Sequence, residues 1–213
     1  MASGLAQSLA EARLDRGTVF EGALGIMKPL LRITIALAAL AAAASPAFAQ
    51  KVRLTTSMGD VVIELDAARA PKTVDNFVQY VKAGHYDGTV FHRVIDGFMI
   101  QGGGMTADMK EKSTRAPIAL ESRNGLSNQR GTVAMARTMV PDSATAQFFI
   151  NLKDNTFLDA ANARDGNGYA VFGKVVSGME VVDKIRAVPT GNRGAHQNVP
   201  LEPVTINKAI LEK

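Results

Sequence analysis

From residue 50 onward the chain is built of short stretches in which apolar and polar positions trade places every residue or two, broken by glycine and polar turn residues. Val52-Arg53-Leu54-Thr55-Thr56-Ser57, the turn Met58-Gly59-Asp60 and Val61-Val62-Ile63-Glu64-Leu65-Asp66 read as strand, tight turn and strand, a hairpin. The period then changes. Pro71 opens a helix, where its missing N–H costs nothing. Val74, Phe77, Val78 and Val81 form one stripe at i, i+3, i+4, i+7, and Gly84 stops the run. Strand character returns at Thr89–Ile95 and Phe98–Gln101.

Residues 102–128 are polar and punctuated by Gly and Pro, the pattern of a long loop. Short strands are predicted at 131–136 and 147–152. A loop follows over 154–168, with a local apolar pair at Phe157-Leu158, then a strand over 169–176. A second helix is predicted over 178–187, with Met179, Val182 and Ile185 leaning inward, and a last strand over 204–211. About eight strands with two widely separated helices do not make the alternation of a doubly wound parallel sheet. The pattern predicts a mainly β fold, an antiparallel barrel closed on itself with helices covering its ends.

The N-terminal region follows other rules. Lys28 and Arg32 are followed by a 12-residue apolar run, Ile33 to Ala44, and by Ala47-Phe48-Ala49 before Gln50. This is the plan of a secretory signal peptide over 27–49 with cleavage after Ala49. Its core is too short for a membrane span, which takes roughly 20 residues. Residues 1–26 show no sustained periodicity and read as a non-native upstream extension, with Met27 the true start. The expectation is a single exported domain over 50–213, periplasmic, with no membrane attachment after cleavage.

Removing the leader lowers the 24 Lys and Arg of the full chain to 20 and the 20 Asp and Glu to 17. So mild a positive balance, without a dense basic block, does not point to nucleic acid. The absence of cysteine excludes disulfides, thiolate catalysis and a lipid anchor on cysteine. Nothing in the sequence suggests more than a monomer.

Candidate chemistry is sparse. His85, His92 and His196 lack the spacing of a zinc helix and have no carboxylate cluster beside them, so no metal is predicted. His92 follows the strand alternation away from Arg93 and is predicted to be a hydrogen-bonded core histidine. Ser143 and Thr145 stand in no nucleophile elbow. Gly102-Gly103-Gly104 lacks the Lys-Ser/Thr of a phosphate-binding loop. No cofactor is implied.

What remains is Phe91-His92-Arg93-Val94-Ile95-Asp96-Gly97-Phe98-Met99-Ile100-Gln101-Gly102-Gly103. Arg93 and Gln101 are eight apart, so on one continuous strand they would share a face, although Asp96-Gly97 signals a turn or bulge. Around them stand apolar candidates (Phe98, Met99, Phe149, Phe157, Leu158) and a further amide, Gln147. Spacing alone leaves pocket and ordinary core equally good readings of these residues.

The segment FHRVIDGFMIQGG resembles the signature of cyclophilins, the cyclophilin-type peptidyl-prolyl cis-trans isomerases. The likeness extends from about Val52 to Ile210 through APKTVDNFVQYVKAGHYDG, RGTVAMAR, SATAQFFINL and GYAVFGKVVSGMEVVDKI. The leader, the QGGGMT stretch and the NTFLD segment are most similar to periplasmic bacterial cyclophilins. The resemblance implies a closed eight-stranded antiparallel barrel capped by two α-helices, with a groove on its outer face. It implies Arg93 as the catalytic arginine and Gln101 as the glutamine that positions it. Phe98, Met99, Phe149 and Leu158 match the proline-ring pocket, and Ala136 and Gln147 match groove residues beside it.

Three positions depart from the pattern of many eukaryotic members. Phe157 replaces a tryptophan, which implies weak cyclosporin binding because an indole donor is lost. Tyr169 replaces a pocket histidine. Arg137 replaces an asparagine that binds peptide mainly through its backbone, so this change is expected to be tolerated. The implied partners are proline-containing peptides and exported proteins during folding. The alternative is a proline-peptide binding module or holdase chaperone with little turnover.

Overall fold

A computed structural model describes residues 50–212. The predicted leader and the upstream extension lie outside the described residues. The strands are β1 (Lys51–Thr56), β2 (Gly59–Leu65), β3 (Thr89–Ile95), β4 (Met99–Thr106), β5 (Thr132–Met135), β6 (Phe148–Asn151), β7 (Val171–Ser177), β8 (Thr190–Arg193), β9 (His196–Pro200) and β10 (Thr205–Leu211). The helices are α1 (Pro71–Lys82) and α2 (Met179–Arg186). Eight strands close in the order β1-β10-β3-β4-β6-β5-β7-β2, every pairing antiparallel. A closed sheet leaves no exposed edge to template aggregation.

The barrel interior is filled by the alternating inward positions, among them Leu54, Ile63, Phe91, Ile100, Val133, Phe148, Ile150 and Phe172. Helix α1 adds its predicted stripe: Val74, Phe77, Val78 and Val81 are all buried. The Phe77 ring lies 5.0 Å from Phe172 and 5.1 Å from Tyr86, and meets Phe148 edge-on at 5.6 Å. The first turn of α1 is capped from far along the chain. Glu121 accepts from the backbone N–H of Lys72 (3.1 Å) and Thr73 (2.8 Å), two of the donors a helix leaves unpaired. In α2 the buried residues are Val181, Val182 and Ile185, while Met179, expected to point inward, is only partly buried.

Two predicted boundaries change. Strand β4 continues through the glycines that read as the start of a loop, pairing with β3 as far as Thr106. The glycines are there because the neighbours come too close for a side chain: an added Cβ would sit 2.9 Å from Phe91 Cδ1 at Gly102 and 2.8 Å from Tyr86 Cε1 at Gly103. At Gly104 it would collide with Gln147. The second change is an unpredicted two-stranded sheet, β8 with β9, outside the barrel. These strands carry few buried residues and no clear apolar alternation, so the sequence gives no strand signal there.

Candidate active site

Strands β3 and β4 form a hairpin around Asp96-Gly97. Gly97, at φ 67°, donates its N–H to Asp96 Oδ1 at 2.8 Å, and Phe98 N–H closes the turn onto Ile95 O at 3.1 Å. The register runs Ile95↔Met99, Val94↔Ile100, Arg93↔Gln101. Arg93 and Gln101 therefore meet as directly opposed residues on two paired strands, not as neighbours along one strand. Such pairs stand about 4.5–5.5 Å apart at Cβ on the same face.

The two side chains belong to a row of three. Gln147, just before β6, accepts at Oε1 from Gln101 Nε2 at 2.9 Å. This turns the Gln101 carbonyl oxygen toward Arg93, whose Nη1 donates to it at 3.4 Å. The last contact is long for an N–H···O bond, so the guanidinium retains donors for another acceptor. Arg93, Gln101 and Gln147 are all half-buried.

Beside this row lies an apolar cluster separate from the barrel interior. Met99, Ala134, Phe149, Leu158 and Val171 are buried in it, with Ile95, Phe98, Leu126, Ala136 and Tyr169 packed around them. Phe149 pairs with Gln101 across β4 and β6, and its ring meets Tyr169 edge-on at 5.6 Å. Phe157, 53% exposed, stacks on Phe98 at 5.8 Å. Ala136 N–H donates to Gln147 O at 2.9 Å, joining the far rim to the polar row. All ten residues singled out in the sequence thus fall in one connected patch: a cationic donor and two amides beside an apolar cluster. Among the described residues no group of three or more His, Asp or Glu side chains is placed to hold a metal ion.

Comparison with known proteins decides the family. The family model of cyclophilin type peptidyl-prolyl cis-trans isomerases matches residues 51–210. The chain is 60% identical over 159 residues to peptidyl-prolyl cis-trans isomerase cyp18 of Streptomyces antibioticus, covering 74% of this chain and 96% of the relative. It is 56% identical over 173 residues to peptidyl-prolyl cis-trans isomerase A of Dickeya dadantii, covering 79% and 90%. Among solved structures it matches a Cryptosporidium parvum cyclophilin with a TM-score of 0.64 at 26% identity, over 78% of this chain and 99% of that one. The chain belongs to the cyclophilin family.

Its activity is peptidyl-prolyl cis-trans isomerisation, and the barrel is that of other cyclophilins. Three local features go beyond what the sequence predicts. The first is His92. The β3–β4 register passes from Phe91↔Gly102 to Arg93↔Gln101, so His92 is the extra residue of a bulge and the simple alternation fails there. It is buried, as expected, but its Nδ1 has no hydrogen-bond partner. Burial pushes its pKa down to about 4, with the neighbouring charges of His196 and Arg93 acting in the same direction.

The second is a buried amide network beside the apolar cluster. Asn155 donates from Nδ2 to Phe98 O (2.8 Å) and to Asn151 Oδ1 (2.9 Å). Asn151 donates to Asn128 Oδ1 (3.2 Å) and Thr132 Oγ1 (3.0 Å). Asn128 in turn donates to Asp159 Oδ1 (2.9 Å). Asn155 precedes the single 3₁₀ turn Thr156–Leu158 that carries Phe157 and Leu158, so one side chain ties that turn to the Phe98 backbone. The signal in the sequence was a pair of asparagines four apart, the first between Ile150 and Leu152, in FFINLKDNTFLD.

The third is Arg137, expected to be a tolerated replacement. The residue is half-buried and its side chain is only 2% exposed. The guanidinium pairs with Asp165, donates from Nε to Gly168 O at 2.8 Å and lies 4.7 Å above the Tyr169 ring. That contact with Arg137, with the Asn167 and Gly168 N–H groups adding to it, holds the Asp165 carboxyl down to about 2.

Proposed function

We propose that this isomerase acts on X–Pro bonds of exported proteins as they fold, with Arg93 as the catalytic donor and the Phe149 depression as the proline-ring pocket. An X–Pro bond prefers trans by only about 0.5–1 kcal/mol but crosses a barrier of about 18–20 kcal/mol, most of it lost amide resonance. At the twisted midpoint the prolyl nitrogen turns pyramidal and gains a lone pair. A donor aimed at that nitrogen binds the transition state better than the planar ground state, which is the condition for catalysis. The observation that carries the reading is the row Gln147–Gln101–Arg93, which holds a permanently charged donor at the edge of an apolar depression.

One charge-assisted hydrogen bond supplies about 1.5–3 kcal/mol, whereas a 10⁵-fold acceleration takes about 7 kcal/mol. The remainder falls to the pocket. Phe98, Met99, Phe149 and Leu158 hold the pyrrolidine ring while the preceding residue turns, and the low-polarity wall strengthens the field of the guanidinium. Gln101 positions Arg93, and Ala136, Gln147, Phe157 and Tyr169 line the groove around the ring. The Cryptosporidium parvum cyclophilin has also been crystallised in the presence of the dipeptide Ala-Pro, which favours a proline-sized ligand for the matching surface. Phe157 offers no indole N–H, so cyclosporin binds weakly.

Arg93→Ala lowers kcat/KM on a short X–Pro peptide by at least about tenfold, with the fold retained. Exchange NMR with catalytic amounts of protein reads both the wild-type acceleration and the loss. Line broadening without faster exchange would favour a peptide-binding module or holdase. Export rests on the basic residues, apolar core and Ala-x-Ala order of residues 27–49. N-terminal sequencing of protein from the periplasm yields Gln50 as the first residue, and a start upstream of Met27 would refute the leader.

A further inference from the structure

Arg137 is the most deeply engaged cation of the groove, yet it sits beside the reacting surface rather than in it. In barrel order β3-β4-β6-β5-β7, Arg93 stands on one side of Phe149 and Tyr169, at the entrance to β7, on the other. The Tyr169 ring is fixed from two directions: by the edge-on Phe149 ring and by the Arg137 guanidinium over its face. Charge over an aromatic face is worth most where water is excluded, and this side chain is almost fully buried.

The guanidinium is itself held at fixed points. Nε reaches Gly168 O, Nη1 reaches Thr138 O at 2.9 Å, and Nη2 pairs with Asp165 Oδ2. The other Asp165 oxygen accepts from Asn167 N at 3.0 Å and Gly168 N at 3.2 Å, so the carboxylate closes the turn that leads into Tyr169. One side chain thus joins the end of β5, the Asp165–Gly168 turn and an aromatic wall of the depression. Arginine suits this place because its planar fork satisfies a carboxylate and a carbonyl while its face stacks on a ring; an ammonium does not do all three.

We propose that Arg137 is a positioning residue of this isomerase, clamping Tyr169 to the Asp165–Gly168 turn and so setting the wall of the proline-ring pocket opposite Arg93. The proposal rests on the reading of the Phe149 depression as that pocket. Its consequence is a split in the kinetics. The wall holds the ring in ground and transition states alike, so loosening it raises KM while kcat, which depends on the Gln147–Gln101–Arg93 row, stays nearly unchanged.

The test measures kcat and KM separately on a short X–Pro peptide for Arg137→Ala, Arg137→Lys, Tyr169→Ala and the double alanine variant. Arg137→Ala raises KM by roughly three- to tenfold with kcat within about twofold, and Arg137→Lys gives a smaller rise. In the Tyr169→Ala background the loss of Arg137 adds less than about twofold, because its target ring is gone. An unchanged KM in folded Arg137→Ala, a fall in kcat alone, or losses that multiply in the double variant would each overturn the proposal. Should Arg137→Ala not fold, Arg137→Lys and Asp165→Asn decide: wild-type KM in both overturns it, a raised KM with preserved kcat supports it. Phe149→Ala is the control on the pocket. A KM it does not move refutes the pocket assignment and this proposal with it, whereas a raised KM there beside an unmoved one at Arg137 refutes the clamp alone.

Discussion

At the scale of single residues, the proposed site divides its work between charge and shape, and substitutions should separate the two. Lysine at position 93 keeps the positive charge but not the planar, multiple-donor fork that Gln101 orients. Arg93→Lys therefore loses at least about tenfold in kcat/KM, mostly in kcat, in a full progress-curve assay. Phe149→Ala empties the depression instead and raises KM more strongly than it lowers kcat. Phe157→Trp restores an indole N–H at the exposed rim beside Phe98 and should tighten cyclosporin binding, read by titration calorimetry, without altering kcat/KM by more than about twofold. The sequence already contained the pair Arg93 and Gln101, but for a reason the structure revises. Even spacing suggested one face of one strand; the face is shared because the three-residue turn Asp96-Gly97-Phe98 folds the second strand back on the first. Arg137 was legible only as a departure from the family pattern. Nothing in its neighbours announced that Asp165 and Tyr169, about thirty residues on, would bury it.

Elements are where local pattern and tertiary packing compete. All eight barrel strands and both helices could be located from period and turn signals, although β6 is buried at every position and shows no alternation of its own. The QGGG run defeats that reading, since a strand made of glycine has no alternation to show. Its meaning lies in what presses on it: Phe91, Tyr86, Phe148 and Gln147 fill the space that side chains would take. Gly104 is the informative member, because its crowding neighbour is the flexible Gln147 side chain rather than backbone. Gly104→Ala pushes Gln147 out of its contact with Gln101 and lowers kcat/KM severalfold, with little change in the unfolding midpoint, since the barrel core is untouched. Asn155→Ala acts in the opposite sense. It removes the donor that ties the Thr156–Leu158 turn to Phe98 O, which keeps its bond from Leu152 N–H, and leaves the buried Asn151 Oδ1 unpaired, a loss of about 1–3 kcal/mol in chemical denaturation. Comparing the two variants separates the polar row's contribution to turnover from the amide network's contribution to stability.

For the whole molecule, the absence of a proton-transfer step and the burial of a histidine give different pH responses for activity and for stability. Rotation about an amide moves no proton, so activity is nearly flat across neutral pH. Stability is not. His92 is buried on the bulge of β3 and its pKa falls from the ordinary 6.5 to about 4. Between these values the unfolded chain binds a proton at this position that the folded chain does not, so stability falls as pH falls. The contribution is fully present above about pH 6.5 and is lost progressively toward pH 4, to a total of roughly 3 kcal/mol. His85, lowered by its own partial burial, acts in the same direction. The depressed carboxyls of Asp165 and Asp108, both at about 2, act only at lower pH. Urea unfolding at pH 7 and pH 4.5 should therefore show a drop in stability that shrinks substantially in His92→Gln, which has no proton to gain. Because the histidine adjoins Arg93 and the Gln147 side chain, its protonation places a second charge beside the row proposed to be catalytic. Activity then falls near pH 4, at the lower end of the range over which the fold weakens, and an equal drop in the wild type and the Gln variant would assign both effects to another group.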